Sequence, residues 1–132
     1  MTDSEIPRER PLSPHLQIYT PMLTMMMSIV HRMTGAALYF GTVLVVWWLV
    51  AAAAGGSYFE QVNGFFASWF GQLILFGYTW AAIHHMLGGL KHLVWDTGRG
   101  FELPTTELMA RLSLGASIVL TILLWIVAYG MK

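Results

Sequence analysis

The sequence predicts an all-α integral membrane protein with three transmembrane helices, and three observations carry that prediction. Of the 132 residues 56% are hydrophobic and 11% charged, with a mean hydropathy of +0.59, too apolar and charge-poor for an ordinary soluble domain. Three windows, Met33 to Ala54, Phe65 to Leu90 and Leu112 to Met131, contain no Asp, Glu, Lys or Arg. Each reaches the roughly 20 residues that cross a hydrocarbon core about 30 Å thick. The charges fall at the ends of these windows instead of forming patches.

Residues 1–27 read as a polar, proline-broken segment on the cytoplasmic side, and residues 28–132 as one three-helix membrane anchor domain with spans over about 29–54, 65–95 and 107–131. The opening "MTDSEIPRERPLSPH" has no apolar core like that of a signal peptide and is not the Arg-rich, acid-poor stretch of a transit peptide, so a bacterial inner membrane is expected. The connector "GGSYFEQVNG" is short and carries turn-forming glycines. In the second connector, "WDTGRGFELPTTELMAR", Pro104 and "TTEL" predict a helix start near Thr105 or Thr106. Arg8, Arg10, Arg32, Lys91, Arg99 and Arg111 share one side against Lys132 alone on the other. The positive-inside rule then puts the N-terminus in the cytoplasm and the C-terminus in the periplasm.

Composition narrows the chemistry. Seven basic and seven acidic residues cancel, so no net field draws nucleic acid. The absence of cysteine removes disulfides, thiolate nucleophiles and cysteine-ligated zinc or iron–sulfur centres. Metal chemistry falls to histidine or oxygen ligands.

His31, His84, His85 and His92 lie in or beside the first two spans, where an ionisable group is a functional hypothesis by default. In "HHMLGGLKH" His85, Gly88, Gly89 and His92 follow i, i+3, i+4, i+7 and share one helix face, with His84 turned about 100° away. That face suits tight helix packing over the glycines, a flat cofactor lying on them with His85 as metal ligand, or an ion or proton path. Haem is the cofactor such a site would take. Taking Arg32 and Lys91 as interface marks, His85 lies about 9 Å deep, at 1.5 Å per residue, and His31 near the surface. The pair is then badly placed to share one iron, and the third span offers no His, Met or Tyr at matching depth. A second protein ligand would come from another subunit, and His31, Arg32 and His92 would lie where haem propionates surface.

In "SIVHRMTG" Ser28, Arg32 and Gly35 follow i, i+4, i+7, with His31 on the same face. Ser28 and Arg32 either cap and snorkel at a helix entrance or hold a small molecule by its oxygens while its apolar body stays in lipid.

"RPLSPHLQIY" (Arg10 to Tyr19), "SIVHRMTG" (Ser28 to Gly35) and "HHMLGGLKHLVWD" (His84 to Asp96) occur in that order and together resemble the signatures of the succinate dehydrogenase cytochrome b subunits, the larger membrane anchors of respiratory complex II. The third span is generic. The resemblance implies half of a two-subunit, six-helix anchor bundle with one haem b held between this chain and the small membrane anchor subunit. It implies a flavoprotein that oxidises succinate and an iron–sulfur subunit that passes electrons to ubiquinone at the membrane face, within the tricarboxylic acid cycle and aerobic respiratory chain. Carried onto this sequence, the motif H-x-x-x-G-[IL]-[RK]-H makes His85 the axial iron ligand and His84 its neighbour. The motif S-I-x-H-R assigns Ser28, Ile29 and Arg32 to ubiquinone and His31, with His92, to the propionate side of the haem. Lys91 departs from the Arg many relatives carry, replacing a bidentate fork by a point charge.

The resulting expectation is an electron-transfer anchor without a succinate site of its own. Its near alternative is the anchor of a quinol:fumarate reductase, which runs the couple in reverse. A proton-relaying channel subunit would need polar groups along the whole depth of a path, and a purely structural anchor would need the glycine face only for packing.

Overall fold

A computed structural model describes residues 20–131, so His15, the motif at residues 10–19 and the charges Arg8, Arg10 and Lys132 lie outside the described residues. Among the described residues four helices follow in order: α1 (Leu23–Ala54), α2 (Gly56–Ala67), α3 (Trp69–Asp96) and α4 (Leu103–Gly130). Three of them, α1, α3 and α4, are long and apolar enough to cross a membrane. At 32 residues α1 runs about 48 Å, longer than the hydrocarbon core. It begins at Leu23, inside the stretch expected to be a polar tail, because "LTMMM" carries no helix breaker and Pro21 lies just before it.

The first connector differs from expectation. Gly55 and Gly56, at φ 68° and 58°, do form the turn, since only glycine enters this left-handed region without cost. The residues after them then form α2 instead of a loop, and Phe65 to Ala67 belong to it and not to the second long helix. Val62 and Phe66, one turn apart, bury one face of α2 against Ala51, with Leu44, Trp47 and Leu75 around them. Ser68 separates α2 from α3: its hydroxyl accepts from the Gly71 amide at 3.2 Å and donates to the Phe65 carbonyl at 2.6 Å, an N-cap that restarts the chain in a new direction.

The second connector closes through Gly100, whose carbonyl accepts from Trp95 Nε1 at 3.0 Å and Thr106 Oγ1 at 3.1 Å. α4 starts two residues before the expected Thr105, with Pro104 in its first turn, where the missing N–H is no loss.

α3 is the central helix, packed against α1 on one side and α4 on the other. Its buried positions are Gly71, Ala81, His84 and Gly88, and those of α4 are Ala110, Ser117 and Thr121. Small side chains let membrane helices approach closely, and hydroxyls link them. Down the α3–α4 seam, Tyr129 donates to Gln72 Oε1 at 2.7 Å, Trp125 Nε1 to Thr79 Oγ1 at 3.3 Å, and His84 Nδ1 lies 3.2 Å from Ser117 Oγ. Outside these seams the large apolar side chains point outward, among them Tyr39, Phe40, Leu93 and Ile126, as lipid or neighbouring helices require.

Candidate functional site

The first part of α1 and the last part of α3 run antiparallel, and each places a histidine on the other's glycine. A Cβ on Gly35 would stand 2.9 Å from His85 Cε1, and a Cβ on Gly88 would run into the His31 imidazole. Glycine at both positions therefore lets each ring lie directly on the opposing backbone. The two rings meet in the seam, parallel within 2° and with centroids 4.1 Å apart. His92 closes the group with its centroid 5.3 Å from that of His31.

This arrangement corrects two expectations. The surface on Gly88 is taken by His31, so at that glycine the packing alternative holds; beside Gly89, a Cβ would meet nothing within 4 Å. His31 lies on Gly88 and His85 on Gly35, so along the antiparallel pair the two residues stand about one helical turn apart while their rings stack at 4.1 Å. Stacked face to face, the two rings cannot approach one iron from opposite sides. The "SIVHRMTG" face also divides: His31 and Gly35 turn into the seam, while Ser28 and Arg32 are exposed and Ile29 is 45% exposed.

Hydrogen bonds fix the histidines. His85 Nδ1 lies 3.1 Å from the His31 carbonyl and 3.4 Å from Thr34 Oγ1, and the Thr34 hydroxyl donates to that same carbonyl at 2.9 Å. Thr34 was not among the expected site residues; a hydroxyl one turn after His31 on the seam face was the signal for it. The Nδ1 atom of His31 is buried with no hydrogen-bond partner among the described residues. His84 faces away from this group, 3% exposed, against Ser117 and stacked on Trp80 at 5.2 Å.

Ser28 and Arg32 are brought together. Arg32 donates from Nε to the Ser28 carbonyl at 3.3 Å and from Nη2 to the Ser28 hydroxyl at 3.4 Å. Near the end of α3, Lys91 Nζ sits 4.9 Å over the Trp95 ring, which His92 meets edge-on at 5.1 Å. Among the described residues no three His, Asp or Glu side chains converge as a metal-binding group. A cavity of about 440 Å³, lined by Leu44, Trp48, Phe66, Leu75 and Tyr78 among others, opens between α1, α2 and α3 and contains none of the expected site residues.

Residues 7–124 match the family described as succinate dehydrogenase/fumarate reductase transmembrane subunit. The chain is similar to the succinate dehydrogenase cytochrome b556 subunit of Paracoccus denitrificans, 42% identical over 120 residues that cover 91% of this chain and 92% of the relative. It is 38% identical to the cytochrome b556 subunit of Rickettsia prowazekii over 122 residues, covering 92% and 95%. The succinate dehydrogenase cytochrome b560 subunit of Reclinomonas americana is 32% identical over 130 residues, covering 89% and 85%. With three helices able to span a membrane and a match along nearly its whole length, the chain belongs to the succinate dehydrogenase/fumarate reductase transmembrane subunit family.

Proposed function

We propose that the chain is the membrane anchor and electron-transfer subunit of a succinate:ubiquinone oxidoreductase, binding haem b jointly with a small anchor subunit and forming part of the ubiquinone-reduction site. Succinate oxidation belongs to a flavoprotein subunit, and an iron–sulfur subunit delivers the electrons; this chain has no succinate site of its own. The setting is a bacterial inner membrane, with the N-terminus in the cytoplasm and the C-terminus in the periplasm. The relatives' names favour succinate oxidation over the fumarate reductase alternative.

The observation that carries the reading is the 3.1 Å contact between His85 Nδ1 and the His31 carbonyl. A carbonyl oxygen only accepts, so the imidazole proton sits on Nδ1 and Nε2 keeps the lone pair that iron needs. His85 is half-buried, at the rim of the helix pair, whereas His84 is enclosed between α3 and α4. A cofactor shared with a second subunit needs its ligand at the rim.

The residues fit a haem. His85 supplies the axial nitrogen, the surface at Gly89 one turn on is open, with nothing within 4 Å of a Cβ placed there, and His31 and His92 suit the propionates. When bound, haem supplies a one-electron redox centre. The quinone side rests on the exposed Ser28–Arg32 pair, with Ile29 beside it. Reduction of a quinone to the quinol adds two electrons and two protons. The Ser28 hydroxyl donates to a quinone carbonyl oxygen, and Arg32 stabilises the negative charge that grows there as electrons arrive. Arg32 keeps its own protons, so it acts by charge and does not deliver them.

The test is a reduced-minus-oxidised spectrum of the purified membrane assembly with its subunits identified. A haem b signal co-purifying with a flavoprotein and an iron–sulfur protein is expected; neither haem nor such partners would end the reading. Ser28→Ala and Arg32→Leu should lower quinone reduction while sparing succinate oxidation with a soluble artificial acceptor. Equal loss of both activities would mean failed assembly and no quinone role.

A further inference from the structure

We propose that Thr34 is the positioning residue that presents the His85 imidazole to iron, an inference that rests on the haem reading above. Thr34 is 3% exposed and is the buried polar side chain of α1. Its hydroxyl has one proton, and the 2.9 Å contact to the His31 carbonyl takes it. Toward His85 Nδ1, 3.4 Å away, the same oxygen presents a lone pair. Nδ1 therefore faces two acceptors, Thr34 Oγ1 and the His31 carbonyl at 3.1 Å. A bare Nδ1 would be a third acceptor in a buried cluster with no donor left for it, so only the Nδ1-protonated tautomer is satisfied.

The ring has little freedom to escape this arrangement. Its Cε1 edge lies against Gly35, and its face is covered by the parallel His31 ring at 4.1 Å. Turning the imidazole over would point Nε2 into the two oxygens and remove it from the rim. Outer hydrogen bonds of this kind fix the tautomer and orientation of a metal-ligating histidine and raise its basicity. A more basic ligand favours ferric over ferrous iron and so lowers the reduction potential.

Thr34→Val keeps the branched shape and removes the hydroxyl, taking one acceptor from Nδ1. The midpoint potential of the haem in the purified assembly should rise, and transfer of haem to excess apomyoglobin should speed up by about tenfold, the lower end of what losing an outer partner does to metal affinity. Thr34→Ser retains the hydroxyl and should restore both values. A Thr34→Val assembly with wild-type midpoint and wild-type haem transfer would overturn the proposal. Should Thr34→Val fail to assemble, Thr34→Ser decides: a wild-type midpoint supports the hydroxyl's role, and a shifted one assigns the role to the lost methyl and refutes it. A wild-type assembly without haem, or one that keeps its haem after His85→Leu, defeats the haem reading and this inference with it.

Discussion

Replacing Gly88 with Ala probes the seam on which the whole site depends. A Cβ at this position would stand 2.7 Å from His31 Cε1 and 3.3 Å from its Cγ, and closer still to Nδ1. Carbon contacts become favourable only at about 3.5 Å, so the ring must retreat by roughly 1 Å. It retreats from a parallel stack on His85 with centroids 4.1 Å apart. Overpacking of this kind costs about 1–3 kcal/mol, against which alanine recovers about 1 kcal/mol of helix propensity. Gly77→Ala, on the same helix where a Cβ meets nothing within 4 Å, gains the propensity without the collision. The difference between the two variants therefore isolates the collision, at about 1–3 kcal/mol. Unfolding of the purified assembly by sodium dodecyl sulfate in mixed micelles, followed by circular dichroism, measures it. Gly88→Ala at least as stable as Gly77→Ala would refute the placement of His31 on Gly88.

Three further outcomes are expected. Ser117→Ala removes the partner of His84 Nδ1 and should cost about 0.6 kcal/mol, at most about 1.7, as polar links between membrane helices do, in the same unfolding assay and with the haem spectrum unchanged. Gly89→Ala should lower the haem-to-protein ratio of the assembly, because its side chain would enter the open space beside His85. Arg32→Lys should fail to restore the quinone reduction lost in Arg32→Leu, measured at saturating quinone, because a point charge on a flexible stem cannot reproduce a guanidinium that bonds Ser28 twice.

The three long helices were legible because length and apolarity are written in one contiguous stretch each. The short helix α2 was not: Gly55 and Gly56 do mark a turn, and nothing local says that Val62 and Phe66 would find Ala51 to bury against. Ser68 offered an N-cap signal, hidden within an aromatic run that reads as continuous. In the site, the common face of His85, Gly88 and His92 followed from helical spacing alone. That His31 would occupy Gly88, and that Thr34 would reach His85, depends on how two helices meet, which spacing within either one does not encode. The same tertiary geometry explains why Ser28 and Arg32 part from His31: the residues lie on adjacent faces, and α3 covers only one of them.

We propose that His85, and not the neighbouring His84, holds the haem iron. Reduced-minus-oxidised spectra of assemblies carrying His85→Leu or His84→Leu test it directly. The geometry predicts that His85→Leu abolishes or strongly alters the haem b bands while His84→Leu retains them. Loss of the bands with His84 replaced, and their retention with His85 replaced, would contradict that assignment.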